Sequence, residues 1–270
     1  MIRTEKNGNV WTIVHSRFAE ARNAMDPRSA DDLVVAFSEF DADPEARVAV
    51  LWGEGGAFCA GWDLKYASSL TDRDQFDAEI VRGLAFPTGA NPAPRGPLGP
   101  TRLELSKPVI AAVEGPAVAG GMELALWCDV RVLAEDAYFG VYCRRWGIPL
   151  LDGGTVRLPR LVGQGRAMEI ILTGRQVPAD EALRIGLCEQ VTASGNARAA
   201  AEEMAHEIAR FPQAAVRADR RSVLETYGQP VREAMRREWH NGVEAHYQEG
   251  ADGAGRFAAG RGRHGDFAEI

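Results

Sequence analysis

Residues 113–129 read VEGPAVAGGMELALWCD. An apolar, β-branched run ends at Val113, a turn of glycine, proline and alanine follows, and an apolar run with helical spacing starts at Gly120. Strand, small-residue turn and helix together form the unit from which α/β folds are assembled. The first N–H groups of such a helix have no intrahelical acceptor and sit at the positive end of its dipole, so they can serve an anion. Glu123, one turn in, is the acid of this run. It reads either as an acid–base group beside that anion site or as an acid that stabilises a helix start.

A similar turn lies upstream. RVAVLWG (47–53) is a β-branched run ending at glycine, a buried strand, and GGAFCAGWDLK (55–65) follows it directly. Glycine and alanine keep side chains away, so backbone N–H groups can face a ligand. Two such turns brought together supply a pair of donors for a developing oxyanion, each worth ~3 kcal/mol in a transition state.

TEKNGNVWTIV (4–14) predicts a hairpin around Asn-Gly. SADDLVVAFSEF (29–40) predicts a helix that opens on a Ser29–Asp32 capping box and buries Leu33, Val34, Phe37 and Phe40. PVIAAVEG (108–115) and DVRVLAE (129–135) predict two more strands flanking the helix, hence crossover connections. LAFPTGANPAPRGPLGP (84–100) holds too much proline and glycine for a regular element. It reads as a lid or pocket wall, or as a disordered spacer. From GQGRAMEIILTG (163–174) onward the pattern is helical. The composition shift predicts an α/β core over 1–195 carrying the site and a helical subdomain over 196–270. The glycine-rich tail EGADGAGRFAAGRGRHGDF (249–267) is expected to be partly ordered.

With 270 residues, 46% of them apolar, the chain has ample material for a large core. A net charge of -7 argues against a general nucleic-acid binder. MIRTEKNGNVWTIV is charged where a signal peptide needs an apolar run, and no window approaches a membrane span, which predicts a cytoplasmic protein with no membrane partner. Cys59, Cys128, Cys143 and Cys188 form no CxxC pair, so neither a disulfide framework nor a metal site is expected. No histidine lies between residues 16 and 205, which disfavours a histidine triad.

AFCAGWDLK (57–65), followed by KPVIAAVEGPAVAGGMELALWCDVRVLAEDAYFG (107–140), resembles the crotonase superfamily of enoyl-CoA hydratases and isomerases. The likeness continues through GIPLLDGGTVRLPRLVG (147–163) and the closing helices, over nearly the whole chain. It implies a spiral of ββα units with a helical C-terminal trimerisation region, giving homotrimers or homohexamers. The substrate would be an acyl-CoA thioester; coenzyme A would be part of that substrate, and no separate cofactor is implied. Carried over by motif, the oxyanion donors are the N–H groups of Trp62 and Gly120, and Glu123 is the glutamate that holds and activates water. Arg22 and Ala24 match a CoA-contacting segment, Ala60 and Asp63 belong to the AGWD stretch around the thioester, and Lys65 sits where basic residues meet pantetheine or phosphates, or is a solvated surface residue.

One position departs from the pattern. Hydratases of this family carry a second glutamate where this chain has Cys143. A thiol, with its pKa near 8.5, holds water less well than a carboxylate. Asp152, in LLDGGT, aligns with an aspartate of dienoyl-CoA isomerase-like and dehalogenase-like relatives; it is read as the second catalytic carboxylate or as a turn residue before Gly-Gly. Cys143 is read as a pocket-lining residue, or as a covalent group if Arg144 or Arg145 lowers its pKa. Three functions follow: an acyl-CoA lyase or isomerase using Glu123 with Asp152, a thioester hydrolase or dehalogenase, or a non-catalytic CoA-binding protein.

Overall fold

The computed structural model describes residues 1–89, 92–265 and 267. Expectations for the proline-rich loop and the tail therefore fall outside the described residues at 90, 91 and 266. Strands β1 (Ile2–Asn7) and β2 (Val10–His15) form the expected hairpin. Then β3 (Val48–Gly53), β4 (Val109–Val113), β6 (Val130–Ala134) and β9 (Gln190–Thr192) add in parallel, in the sheet order β1-β2-β3-β4-β6-β9. Strands β5 (Pro116–Val118), β7 (Tyr138–Gly140) and β8 (Gln176–Pro178) make a second sheet in the order β5-β7-β8.

Both faces of the larger sheet are covered over its central strands, which is why β3 and β4 read as continuous apolar runs. On one face Trp11, Ile13, Ala49, Leu51, Ala111 and Val113 join the main core with Phe37 and Phe40. On the other, Val10, Val48, Val50, Ile110 and Val132 meet Ala201, Ala205 and Ala209. These alanines recur every four residues along the Ala197–Arg210 helix, and their small side chains let it lie close on the sheet. Packing against the sheet thus runs past residue 195. The Gln213–Thr226 and Val231–Ala245 helices pack mainly on one another.

Two local expectations change. The helix expected over 29–40 spans Pro27–Ala42, and its cap is Asp26, whose side chain accepts the Ser29 N–H at 2.8 Å. Proline at the first helical position has no N–H to satisfy and a preset φ, so the helix starts ahead of Ser29. PAV of the central turn is itself strand β5, too short for a periodicity to reveal. In the tail, Ala251–Ala258 is helical despite its glycines. Among its described residues the proline-rich segment has no long element, yet its end is firmly packed: Gly96 and Gly99 exchange two backbone bonds of 2.9 Å, and Leu98 and the following Thr101 are buried.

Candidate active site

The helix Gly120–Trp127 starts where β5 ends. Between them Ala119 has φ 54° and ψ -125°, a region that L-residues other than glycine rarely occupy. Its N–H donates to Gly140 O at 2.7 Å, which ties the strained residue to β7. Strain of this kind persists only where the surroundings over-determine it. It aims the Gly120 N–H off the end of the helix.

The upstream turn meets this one directly. Val118 N–H donates to Cys59 O at 3.0 Å, and Gly61, at φ +91°, lies so close that a Cβ there would stand 3.0 Å from Gly120 N. Gly61 O accepts the Met25 N–H at 2.7 Å and Asp63 N–H donates to Met25 O at 2.9 Å, which leaves the intervening Trp62 N–H unused. Among the described residues, neither the Trp62 nor the Gly120 N–H has a protein acceptor. The two turns thus place two free donors on one cavity.

That cavity, of about 420 Å³, is lined by Arg22, Ala60, Trp62, Gly120, Glu123, Cys143 and Asp152, with Leu98, Tyr138, Tyr142, Trp146 and Leu151 supplying apolar wall. Three residues expected to bind substrate lie off it. Asp63 is 5% exposed and caps the Leu64–Ser69 helix, accepting the Lys65 N–H at 2.8 Å while pairing with Arg17 at 2.8 Å. Ala24 is buried, and its carbonyl accepts from Arg17 at 2.8 Å. Lys65 is exposed. Arg22 reaches the cavity because Arg22 and Asn23 are both left-handed, at φ 50° and 59°. Buried Asn23 pins that turn through bonds to Glu54 O, Ala57 O and Arg17 N.

Glu123 is 3% exposed, and its Oε1 accepts the N–H groups of Asp152 at 2.9 Å and Gly154 at 2.8 Å. Gly154 has to be glycine here, since a Cβ would lie 2.9 Å from Glu123 Cγ. Burial, reinforced by the charge of Asp152, pushes the Glu123 carboxyl up to about 7. Asp152 Oδ1 accepts from Leu98 N–H at 3.1 Å and from the Thr101 hydroxyl. Burial raises the Asp152 carboxyl also, while these donors and the charges of Arg102 and Arg157 oppose the rise. The two acids titrate as a pair. The nearby guanidinium groups make Asp152 the partner that ionises first, leaving Glu123 protonated up to neutrality.

Cys143 is buried, and burial followed by the Glu123 charge raises its pKa. This corrects the idea of an arginine-activated thiolate: Arg144 acts in the lowering direction but does not prevail. Sequence reasoning missed Thr101, Leu98 and Arg157. Arg157 donates to Asp152 O and to Thr101 O, both at 2.8 Å, and so ties the proline-rich segment to the LLDGGT turn.

A family model described as enoyl-CoA hydratase/isomerase matches residues 5–84 and 101–258, leaving the proline-rich segment outside the match. An enoyl-CoA hydratase of Mycobacterium tuberculosis is 35% identical over 95% of this chain and 93% of its own length. A carnitinyl-CoA dehydratase of Salmonella typhi is 36% identical over 90% of this chain and 87% of its own. The crystal structure of an enoyl-CoA hydratase from Mycobacterium marinum superposes with a TM-score of 0.84 at 31% identity, covering 96% of each chain.

Proposed function

This chain belongs to the enoyl-CoA hydratase/isomerase family, of crotonase fold, and from that premise we propose that Glu123 and Asp152 together catalyse reversible addition of water to the α,β double bond of an enoyl-CoA thioester. The observation that carries this reading is the pair of buried carboxyls on one cavity, joined by the Asp152 N–H bond to Glu123. In the proposed step Asp152 takes a proton from water as the water oxygen bonds the β carbon. The π electrons move onto the thioester oxygen, held by the Trp62 and Gly120 N–H groups. The enolate then takes a proton at the α carbon from Glu123, and Asp152 returns a proton to Glu123. Two positioned carboxyls can each contribute about a hundredfold or more.

A second reading, proton transfer between carbons without water, is favoured by one observation: Cys143, which the resemblance matches to the second hydratase glutamate, is a thiol whose pKa burial raises. The mass of the product formed from a short 2-enoyl-CoA separates the two, since hydration adds one water and isomerisation adds nothing. A dehalogenase-type attack by Asp152 has less support, because among the described residues no histidine lines the cavity to serve the hydrolytic step.

Assembly as a homotrimer or homohexamer belongs to the same proposal. Val223, Leu224, Val231, Met235 and Trp239 on the C-terminal helices are exposed, an apolar surface that a second copy of this chain would cover. Light scattering at micromolar concentration is expected to give three or six times 29.3 kDa. A monomer mass would contradict it. A cytoplasmic location is part of the proposal; among the described residues no helix is long and apolar enough to cross a membrane.

A further inference from the structure

We propose that Thr101 is a positioning residue for Asp152, fixing one carboxylate oxygen so that the other is presented to the substrate cavity. The inference rests on the two-carboxylate reading above and adds to it a second residue and a second segment. Thr101 is 1% exposed and its hydroxyl donates to Asp152 Oδ1, the same oxygen that accepts the Leu98 N–H at 3.1 Å. Among the described residues Asp152 Oδ2 has no protein partner, and Asp152 lines the cavity. Arg157 closes the arrangement from behind by donating to the carbonyls of both Asp152 and Thr101. Gly96 completes it, because a Cβ there would stand 2.0 Å from the Thr101 hydroxyl and 2.4 Å from Asp152 Oδ1.

The origin of these groups sharpens the inference. Leu98 and Gly96 come from residues 85–100, which the family match leaves out, and Thr101 is the first residue where it resumes. The same segment lays the Leu98 side chain against Gly120, where a Cβ would come within 2.4 Å of Leu98 Cδ2. One short stretch therefore buttresses both a proposed oxyanion donor and a proposed base. A hydroxyl donating to a carboxylate stabilises the ionised form. The other ionisable groups facing Asp152 are Glu123 on the Gly120–Trp127 helix, Arg102, Arg157 and the buried thiol of Cys59. None of these is altered by a change at residue 101.

Thr101→Val keeps the shape and removes the donor. On a short 2-enoyl-CoA it is expected to lower kcat about ten- to hundredfold, the worth of one hydrogen bond to a charged group, with KM nearly unchanged. Without that donor Asp152 holds its proton to higher pH, so the acid limb of the kcat profile moves upward. Thr101→Ser is expected to restore both kcat and the limb, which a packing defect would not allow. If Thr101→Val does not fold, Thr101→Ala, which removes the same hydroxyl without adding bulk beside Asp152, decides by the same two readouts. Asp152→Asn is run alongside. Parental kcat and acid limb in Thr101→Val with an inactive Asp152→Asn overturn the positioning role alone; parental activity in both overturns the two-carboxylate reading itself.

Discussion

Glu123→Gln is expected to lose about a thousandfold or more in kcat, and Asp152→Asn a comparable factor, while the double variant falls little further. Each substitution removes one end of a single proton path, and losses within such a unit are far from additive. The glutamine oxygen still accepts the N–H groups of Asp152 and Gly154, which bond Glu123 at 2.9 and 2.8 Å, so the fold keeps both contacts. The pH dependence carries its own sign. Glu123 is raised from 4.5 to about 7, so it is protonated, and competent to give a proton to the α carbon, below neutrality. Above about 7 both carboxyls are ionised, so hydration lacks the proton for the α carbon and dehydration lacks the proton for the departing hydroxide; both directions should therefore slow as pH rises through about 7. Stability follows the same titration: what the protonated carboxyl contributes below pH 4.5 is lost as pH rises through about 7. Glu123→Gln does not titrate, so its stability relative to the parent should improve across that window by on the order of 3 kcal/mol. Denaturant titrations at pH 4 and pH 8 check this, and an unchanged difference would contradict the raised carboxyl.

Gly120→Val is expected to cost about a hundred- to a thousandfold in kcat, the usual consequence of losing one oxyanion donor. The new Cβ would lie 2.4 Å from Leu98 Cδ2 and 2.8 Å from its Cγ, so either Leu98 or the helix start has to move. A leucine side chain can shift, and the melting temperature should fall only modestly. Gly121 makes the contrast. A Cβ there would stand 2.0 Å from the carbonyl oxygen of Cys59, a backbone atom in the contact between the two turns. Gly121→Ala should therefore lose stability, whereas Gly120→Val loses turnover in a folded protein. Steady-state kinetics and thermal unfolding of both variants check the pattern. Parental turnover in Gly120→Val would remove the oxyanion role from this turn.

Much of this arrangement was legible because small residues are informative. Gly120 and the run around Gly61 announce close backbone approach, and both turns do meet. The apolar runs 47–53, 108–115 and 129–135 became β3, β4 and β6 because strands covered on both faces need no polar alternation. Strands β5, β7 and β8, of three residues each, were not legible, since three residues carry no period. Asp63 shows a different limit. Its place in AGWD pointed to substrate, but an acid immediately before a helix also caps it, and here it does. Thr101 was illegible for a third reason: its bond to Asp152 joins residues 51 apart, and nothing in GPLGPTR marks that partner. Cys143 was read as a departure from the hydratase pattern; its electrostatics follow from burial among apolar walls, which no count of neighbouring arginines could give.

The most direct test of the central claim is mass spectrometry of the product formed from crotonyl-CoA in heavy-oxygen water. The account predicts a 3-hydroxyacyl-CoA heavier than its substrate by one water, with the heavy oxygen on the acyl chain, formed by the parent protein and suppressed in Glu123→Gln and Asp152→Asn. Crotonyl-CoA recovered at its original mass, with no heavy oxygen incorporated by the parent protein, would contradict it.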